Sequence, residues 1–172
     1  MTDAVSSTSN LKAIMNDIDL GPTGSIQFMF AKLQLAQSQI CKNQAETYMR
    51  QIEDIQKEQQ EVADLISQAR DLQNKAEVSD ECTVMPKEMI DWMESRGLDI
   101  DSHGNSDNLH TKDEWTYNIE SLTNYQETIS NKTQTLMVYL QDFIGQYNSY
   151  LQGANSAIST ANQTLTSIAT GR

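Results

Sequence analysis

Proline and glycine are scarce in this chain, with two prolines and seven glycines among 172 residues. Both residue types interrupt or weaken helices, so their scarcity permits long uninterrupted helical elements. Aromatic residues are also few, at 6% of the sequence. A chain with so few large rings is better suited to elongated helices than to a thick globular core.

The chain also lacks an excess of basic residues and any long apolar run. Twenty-four acidic residues against twelve basic ones give a net charge of −12. Such a surface repels nucleic acid and anionic lipid. The most apolar stretch, residues 26–40, is interrupted by Lys32 and several glutamines. We therefore expect no nucleic-acid partner and no membrane-spanning helix.

Residue patterns for metal binding or catalysis are missing as well. The two cysteines, Cys41 and Cys82, fall in different predicted elements and do not indicate a redox compartment. The acidic segment 99–110 has the spacing of an EF-hand loop, but His110 stands where that motif needs its last glutamate. There is no glycine-rich phosphate loop and no Ser/His/Asp pattern. The sequence thus predicts no cofactor, no metal site and no enzyme activity.

What the sequence does contain is a long helical repeat in its C-terminal third. Large side chains recur there at alternating steps of four and three, which predicts one long helix with a coiled-coil seam. Thr111 and Glu114 form a capping box that places the start of this helix, which we predict over residues 111–170. The predicted seam is Trp115, Ile119, Leu122, Gln126, Ile129, Thr133, Leu136, Leu140, Phe143, Tyr147, Leu151, Ala154, Ile158, Ala161, Leu165 and Ile168.

A second series of the same kind predicts a first long helix over residues 25–76. The Ser25 hydroxyl is placed to cap its first turn. The predicted seam of this helix is Ile26, Met29, Leu33, Ala36, Ile40, Gln44, Tyr48, Ile52, Ile55, Gln59, Val62, Ile66, Ala69 and Gln73.

The segment between the two long helices, residues 77–110, is short and acidic. Residues 78–115 hold ten acidic and three basic residues, a net charge of −7. Pro86 and Gly97 are placed to begin and end a short helix, and residues 98–101 have an extended pattern. The predicted fold is therefore all-α, with two long antiparallel helices forming a coiled-coil hairpin around a small acidic middle segment.

Residues 1–24 are predicted to be a flexible N-terminal segment with a weak helical pattern at residues 11–20 that ends at Gly21 and Pro22. The first ten residues are rich in serine and threonine and contain neither a basic cluster nor an apolar run. We expect no Sec signal peptide there.

Two features predict self-association. Phe28 and Phe30 lie off the seam, so the first turns of the first long helix are apolar nearly all round. Between residues 133 and 171, Asp142 is the only acid or base, and an uncharged helix face suggests a surface that is covered. The predicted assembly residues are Ile26, Phe28, Met29, Phe30, Leu33, Ile40, Leu136, Leu140, Phe143, Tyr147, Leu151, Ala154, Ala157, Ile158 and Leu165.

Several segments together resemble a known family. They are Phe28 to Ala31, the glutamine-rich helix that follows it to Gln73, the proline-led stretch 85–101, and the Ser/Thr-rich end at 156–171. Over residues 24–170 the chain is similar to EspA/SseB-like type III secretion filament proteins, which are translocator proteins. This chain differs from them in its short middle region and its two cysteines.

The resemblance implies a secreted structural subunit that polymerises into a hollow filament and conducts effectors to a pore in the host membrane. It implies three kinds of partner: further copies of the chain, a small cytoplasmic secretion chaperone that covers the helices before export, and the needle and pore-forming translocator proteins. The location implied is extracellular, at the bacterial cell surface, and residues 1–24 are then expected to be the export segment. A needle-tip protein of the same system and a cytoplasmic coiled-coil adaptor or chaperone are the alternatives.

Overall fold

The computed structural model describes residues 2–20, 25–79, 82–101 and 108–171. Within them the chain is mostly helical, and the two long helices pack against each other, which confirms the all-α prediction. A two-stranded antiparallel ladder, too short to give a periodic sequence signal, is an addition that we did not predict. The elements are α1 (Thr2–Asp17), α2 (Ile26–Ser79), β1 (Thr83–Val84), α3 (Lys87–Ser95), β2 (Leu109–His110) and α4 (Lys112–Ala169).

The starts of both long helices are fixed by the capping residues predicted from the sequence. Ser25 Oγ accepts a hydrogen bond from the Phe28 backbone N–H at 3.2 Å. At the start of α4, Glu114 Oε2 accepts from the Thr111 N–H at 2.6 Å, while Thr111 Oγ1 accepts from the Glu114 N–H at 3.4 Å. These bonds satisfy N–H groups that have no partner inside a helix.

The short helix α3 also lies where the sequence predicts it. Pro86 occupies its N-cap position, and Gly97 follows its end with φ of 67°. The Leu98 N–H donates to the Met93 carbonyl and the Gly97 N–H to the Glu94 carbonyl, which is the Schellman pattern of helix ends. Met89 and Met93 on its inner side are fully buried.

At the N-terminus, α1 is longer than the weak helical pattern at residues 11–20 suggested. Leu11, Ile14, Met15 and Ile18 are half-buried. The expected helix end at Gly21 and Pro22 lies outside the described residues, and the flexibility of residues 1–24 stays a prediction.

The chain divides into two compact units. The terminal unit is Met1–Arg50 with Leu136–Arg172, and the middle unit is Gln51–Thr135. The terminal unit contains α1, the first part of α2 and the last part of α4. The middle unit contains α3, the ladder and the remaining parts of the two long helices.

In the middle unit the predicted seams are largely confirmed. On α2 the residues Ile52, Ile55, Val62, Ile66 and Ala69 are all buried. On α4 the predicted seam residues Trp115, Leu122, Ile129 and Thr133 are buried, whereas Asn118 is buried in place of Ile119. Methionines from α3 and from the residue after β1 complete this core: Met85, Met89 and Met93.

In the terminal unit the predicted seam of α2 is only partly right. The predicted Ala36 is buried and the predicted Tyr48 packs on Phe143 of α4, but the predicted Ile26, Met29 and Gln44 are exposed and Leu33 and Ile40 are half-buried. The other residues that the structure buries here are small ones that we did not predict: Ala31, Ser38, Cys41 and Ala45. Steps of three and four continued from Ile52 toward the N-terminus pass through Ala45, Cys41 and Ser38. The prediction instead repeated steps of four in order to follow large side chains, and it slipped by one residue.

Small residues on the true seam allow α2 and α4 to approach closely in the terminal unit. A Cβ atom added at Gly153 would lie 3.1 Å from Gln34 Oε1. Cys41 Sγ lies 3.7 Å from Gln146 Oε1, and the ring of Tyr48 stacks on that of Phe143 with centroids 5.5 Å apart. Residues later in α2 thus contact residues earlier in α4, so these two segments run antiparallel.

Candidate self-assembly surface

The predicted assembly residues fall into three groups by burial. Two of them, Leu136 and Ala154, are buried on the α4 seam and so stabilise the folded chain itself. Nine are half-buried: Phe28, Leu33, Ile40, Leu140, Phe143, Tyr147, Leu151, Ala157 and Ile158. The remaining four are exposed: Ile26, Met29, Phe30 and Leu165.

The exposed start of α2 forms one end of the candidate surface. Ile26 is 83% exposed and Phe30 is 48% exposed, although the neighbouring Ala31 is fully buried. One side of this helix therefore packs inside the terminal unit while the other presents large apolar side chains to solvent. Exposed apolar side chains grouped in this way are typical of a protein contact site.

The last turns of α4 form the other part of the surface. Gly153 lies opposite Gln34 and Gln146 opposite Cys41, and the same register places Ala161 opposite Ile26, where α2 begins. Every residue from 162 to 171 is exposed, including Leu165 and Ile168. We call residues 162–169 the overhang, since this end of α4 continues beyond the start of α2.

Sequence reasoning missed a further group of exposed apolar residues on α4 of the terminal unit. They lie off the seam and are Met137, Val138, Tyr139 and Ile144. The sequence could have revealed Met137, Val138 and Ile144, because large apolar side chains outside the seam of an uncharged helix have no partner in a two-helix pair. Tyr139 is different, since its ring lies 5.8 Å from that of Tyr48 on α2. Gly145, which the sequence also places among the small residues of this helix, has open space around its Cα.

Polar contacts are concentrated in the middle unit, where α3 is tied to both long helices. Arg96 Nε donates to Glu58 Oε1 at 2.6 Å, and the Tyr125 hydroxyl donates to the same oxygen at 2.8 Å. Trp92 Nε1 donates to Glu61 Oε2 at 3.0 Å, and the Arg96 guanidinium carbon lies 3.9 Å from the centre of the Trp92 ring. We call these five residues the α3 clasp.

Charge and hydrogen bonding shift two pKa values in the α3 clasp. Burial alone would raise the pKa of Glu58, but the hydrogen bonds from Tyr125 and Arg96, with the positive charges of Arg96 and Lys132, lower it overall. Burial and the neighbouring Glu58 carboxylate raise the pKa of Tyr125. Glu58 is therefore held as a carboxylate and Tyr125 as a phenol, the two states that the hydrogen bond requires.

A second polar group fixes the ladder to α4. Buried Asn118 accepts from the Asp101 N–H at 2.8 Å through Oδ1, and its Nδ2 lies 3.4 Å from Nδ1 of buried His110. Trp115 Nε1 donates to Thr83 Oγ1 at 2.8 Å. Each buried polar group here has a partner, so the contacts serve the fold of the middle unit.

The described residues give no sign of a metal-binding group or a membrane-spanning helix. Among them no three His, Cys, Asp or Glu side chains are grouped as metal ligands would be, and no helix is long and apolar enough to cross a membrane. Most of the EF-hand-like loop, residues 102–107, lies outside the described residues. Cys41 and Cys82 are both free thiols, and burial together with Asp142 raises the pKa of Cys41.

Comparisons with protein-family models, with curated proteins and with solved structures found no match for this chain.

Proposed function

We propose that the chain is a secreted structural subunit that polymerises through its terminal unit into a hollow type III secretion filament, which conducts effectors to a pore in the host membrane. The observation that carries the proposal is the exposed apolar surface of the terminal unit, whose α4 part has Asp142 as its only acid or base from residue 136 to residue 171. The exposed start of α2 and the overhang both belong to it. In this proposal α2 and α4 form an antiparallel coiled-coil hairpin, and further copies cover the sides of the hairpin that it leaves open.

The charge distribution supports a contact between copies at this surface. Asp142 is the only acid or base between residues 133 and 171, so copies that meet there bury almost no unpaired charge. Burying an unpaired charge costs several kcal/mol. Residues 78–115, with a net charge of −7, would repel one another in a packed interior, which favours a place for them on the outside of the filament.

The partners follow from the same surface. An amphipathic helical surface that is exposed before assembly needs a cover inside the producing cell, and a small cytoplasmic chaperone provides one. The needle would anchor one end of the filament and the pore-forming translocators would receive the other, with the assembled protein outside the cell. These roles rest on the resemblance of residues 24–170 to the filament family.

Electron microscopy of the purified protein, with the variant Phe30→Asp, tests the proposal. The wild type is expected to form long filaments, whereas the variant is expected to remain as short soluble species because a carboxylate would lie in the contact. Tyr117→Asp is the matched control, since Tyr117 is 46% exposed but belongs to the middle unit. Filaments of Phe30→Asp equal to wild type would contradict the proposal, and small closed rings would favour the needle-tip alternative.

A further inference from the structure

We infer that residues 10–18, the second half of α1 with the residue that follows it, are a removable cover over the surface by which the terminal unit takes up a second copy. This inference rests on the proposed function and adds its regulation. We call residues 10–18 the N-terminal cover.

The N-terminal cover lies against both long helices of the terminal unit. Ile14 and Ile18 line one groove together with Leu35 of α2 and with Tyr147 and Leu151 of α4. Lys12 and Asn16 on its other side are exposed. The cover therefore directs its apolar side inward, as an amphipathic helix does when it is seated on an apolar surface.

On α2 the N-terminal cover reaches the face that the α4 contact does not use. Asn10, Ala13 and Ile14 line a second groove with Ile40 and Thr47. Ala36, one turn before Ile40, is off the series that faces α4 and yet is fully buried. A helix therefore fits on this face of α2, and the cover is the helix that occupies it in the single chain.

The N-terminal cover is seated beside two grooves that are open to solvent. They have volumes of about 490 Å³ and 460 Å³ and are lined on one side by residues of the cover. From residue 10 to residue 17, where the side chains are described, no side chain makes a hydrogen bond or an ion pair with α2 or α4. In this described part, apolar side chains such as Ile14 and Ile18 hold the helix on its face, so a better-fitting helix can replace it.

The covered surface is continuous with the candidate assembly surface. Ile40, Tyr147 and Leu151 are predicted assembly residues that line the two grooves, and Ile26, Met29 and Phe30 at the start of the same helix α2 are largely open. A second copy that packs along this side of α2 meets the open residues first and the N-terminal cover next. The cover and the second copy thus compete, and the apparent affinity between copies is reduced by the fraction of chains that are closed.

The test is a double variant of the full chain, Ile14→Asp with Ile18→Asp, which weakens the N-terminal cover without changing α2 or α4. The control is Lys12→Gln with Asn16→Asp, which makes the same charge change of −2 on the exposed side of the cover. Light scattering measures the lag and the critical concentration of assembly, and hydrogen exchange measures the protection of residues 10–18 in the monomer.

The double variant is expected to lose protection at residues 10–18. It is also expected to assemble at about tenfold lower critical concentration than the control, which is the change expected if the cover is open in roughly a tenth of the wild-type chains and in nearly all chains of the variant. Unprotected residues 10–18 in the wild-type monomer would overturn the inference, and so would a double variant that assembles no better than the control. If neither the wild type nor any variant assembles, the proposed function fails, and the inference fails with it.

Discussion

The middle unit and the terminal unit are built on the same two long helices, yet they bury side chains of different size. The middle unit buries Trp115, three methionines and a run of isoleucine and valine from α2. The terminal unit buries mostly alanine, with Ser38 and Cys41, and leaves Ile26, Met29 and Phe30 open. A seam of large residues gives a unit its own core, whereas a seam of small residues brings helices close and leaves the large side chains for other partners.

The polar contacts differ in the same sense. In the middle unit the α3 clasp and the contacts of Asn118 tie a third layer of chain to both long helices. In the terminal unit the third layer is the N-terminal cover, which is seated by apolar contact beside two grooves. The middle unit therefore has polar contacts that fix its third layer, whereas the proposed exchange of the cover for a second copy would involve mainly apolar contacts in the terminal unit.

Trp115→Ala is expected to have the largest effect on the stability of the single chain. It removes a fully buried ring, together with the hydrogen bond to Thr83, and is expected to lower the free energy of unfolding by about 3 to 5 kcal/mol. Urea unfolding followed by circular dichroism measures this change. Met137→Ala, in the exposed group of the terminal unit, is the control and is expected to stay within about 0.5 kcal/mol of the wild type. Similar losses in the two variants would remove the contrast between the units.

Tyr125→Phe is expected to have an intermediate effect that depends on pH. The pKa of Glu58 is lowered in the folded chain, so its contribution to stability is present above the pKa of the unfolded carboxyl and is lost as the pH falls through the folded value. Removing the Tyr125 hydroxyl is expected to cost about 1 kcal/mol at pH 7, and this difference from the wild type shrinks as the pH falls below about 4.

Urea unfolding of Tyr125→Phe and the wild type at a series of pH values measures this dependence. Tyr139→Phe is the control from the terminal unit, where the Tyr139 ring lies 5.8 Å from that of Tyr48 and its hydroxyl has no role in the α3 clasp. A difference between Tyr125→Phe and the wild type that stays constant from pH 7 to pH 3 would contradict the role given to Glu58.

The smallest effect on the single chain is expected for Ile168→Ser in the overhang. Ile168 is 72% exposed, so the substitution is expected to change the free energy of unfolding by less than about 0.5 kcal/mol. Assembly is the contrasting measurement: full burial of this side chain between copies contributes about 1.5 to 3 kcal/mol, so the critical concentration is expected to rise about tenfold or more. Unchanged assembly would exclude the overhang from the contact.

The sequence predicted the helix starts and the buried seam correctly where its periodicity and its capping residues agree. Ser25 and the pair Thr111 and Glu114 marked the starts of both long helices, and the seam from Ile52 to Ala69 followed the large side chains correctly. Toward the N-terminus the same rule failed, because burial there selects small residues that permit close approach of two helices. Hydrophobicity alone does not distinguish a buried seam alanine such as Ala45 from an alanine on the exposed side of a helix.

Contacts between distant residues were beyond the sequence for a different reason. Strands β1 and β2 have two residues each, which is too short for any period to be seen, and their pairing is fixed by the buried contacts of Asn118 and Trp115. The assembly residues were predicted from local composition alone. Composition identified Ile26 and Phe30 as apolar without a partner, but it did not show that Asn10, Ala13 and Ile14 lie beside Ile40.

The overhang has a geometric consequence for any contact between copies. It extends about 12 Å, eight residues at 1.5 Å each, beyond the point where α2 begins. In the proposed filament, where copies meet head to tail, a copy that packs on those turns would be shifted along the axis of α4 relative to the first, and its own overhang would be carried forward by the same distance. A head-to-tail contact with such a translation repeats in one direction, so the unequal ends of two helices would set both the stagger between neighbours and the polarity of growth.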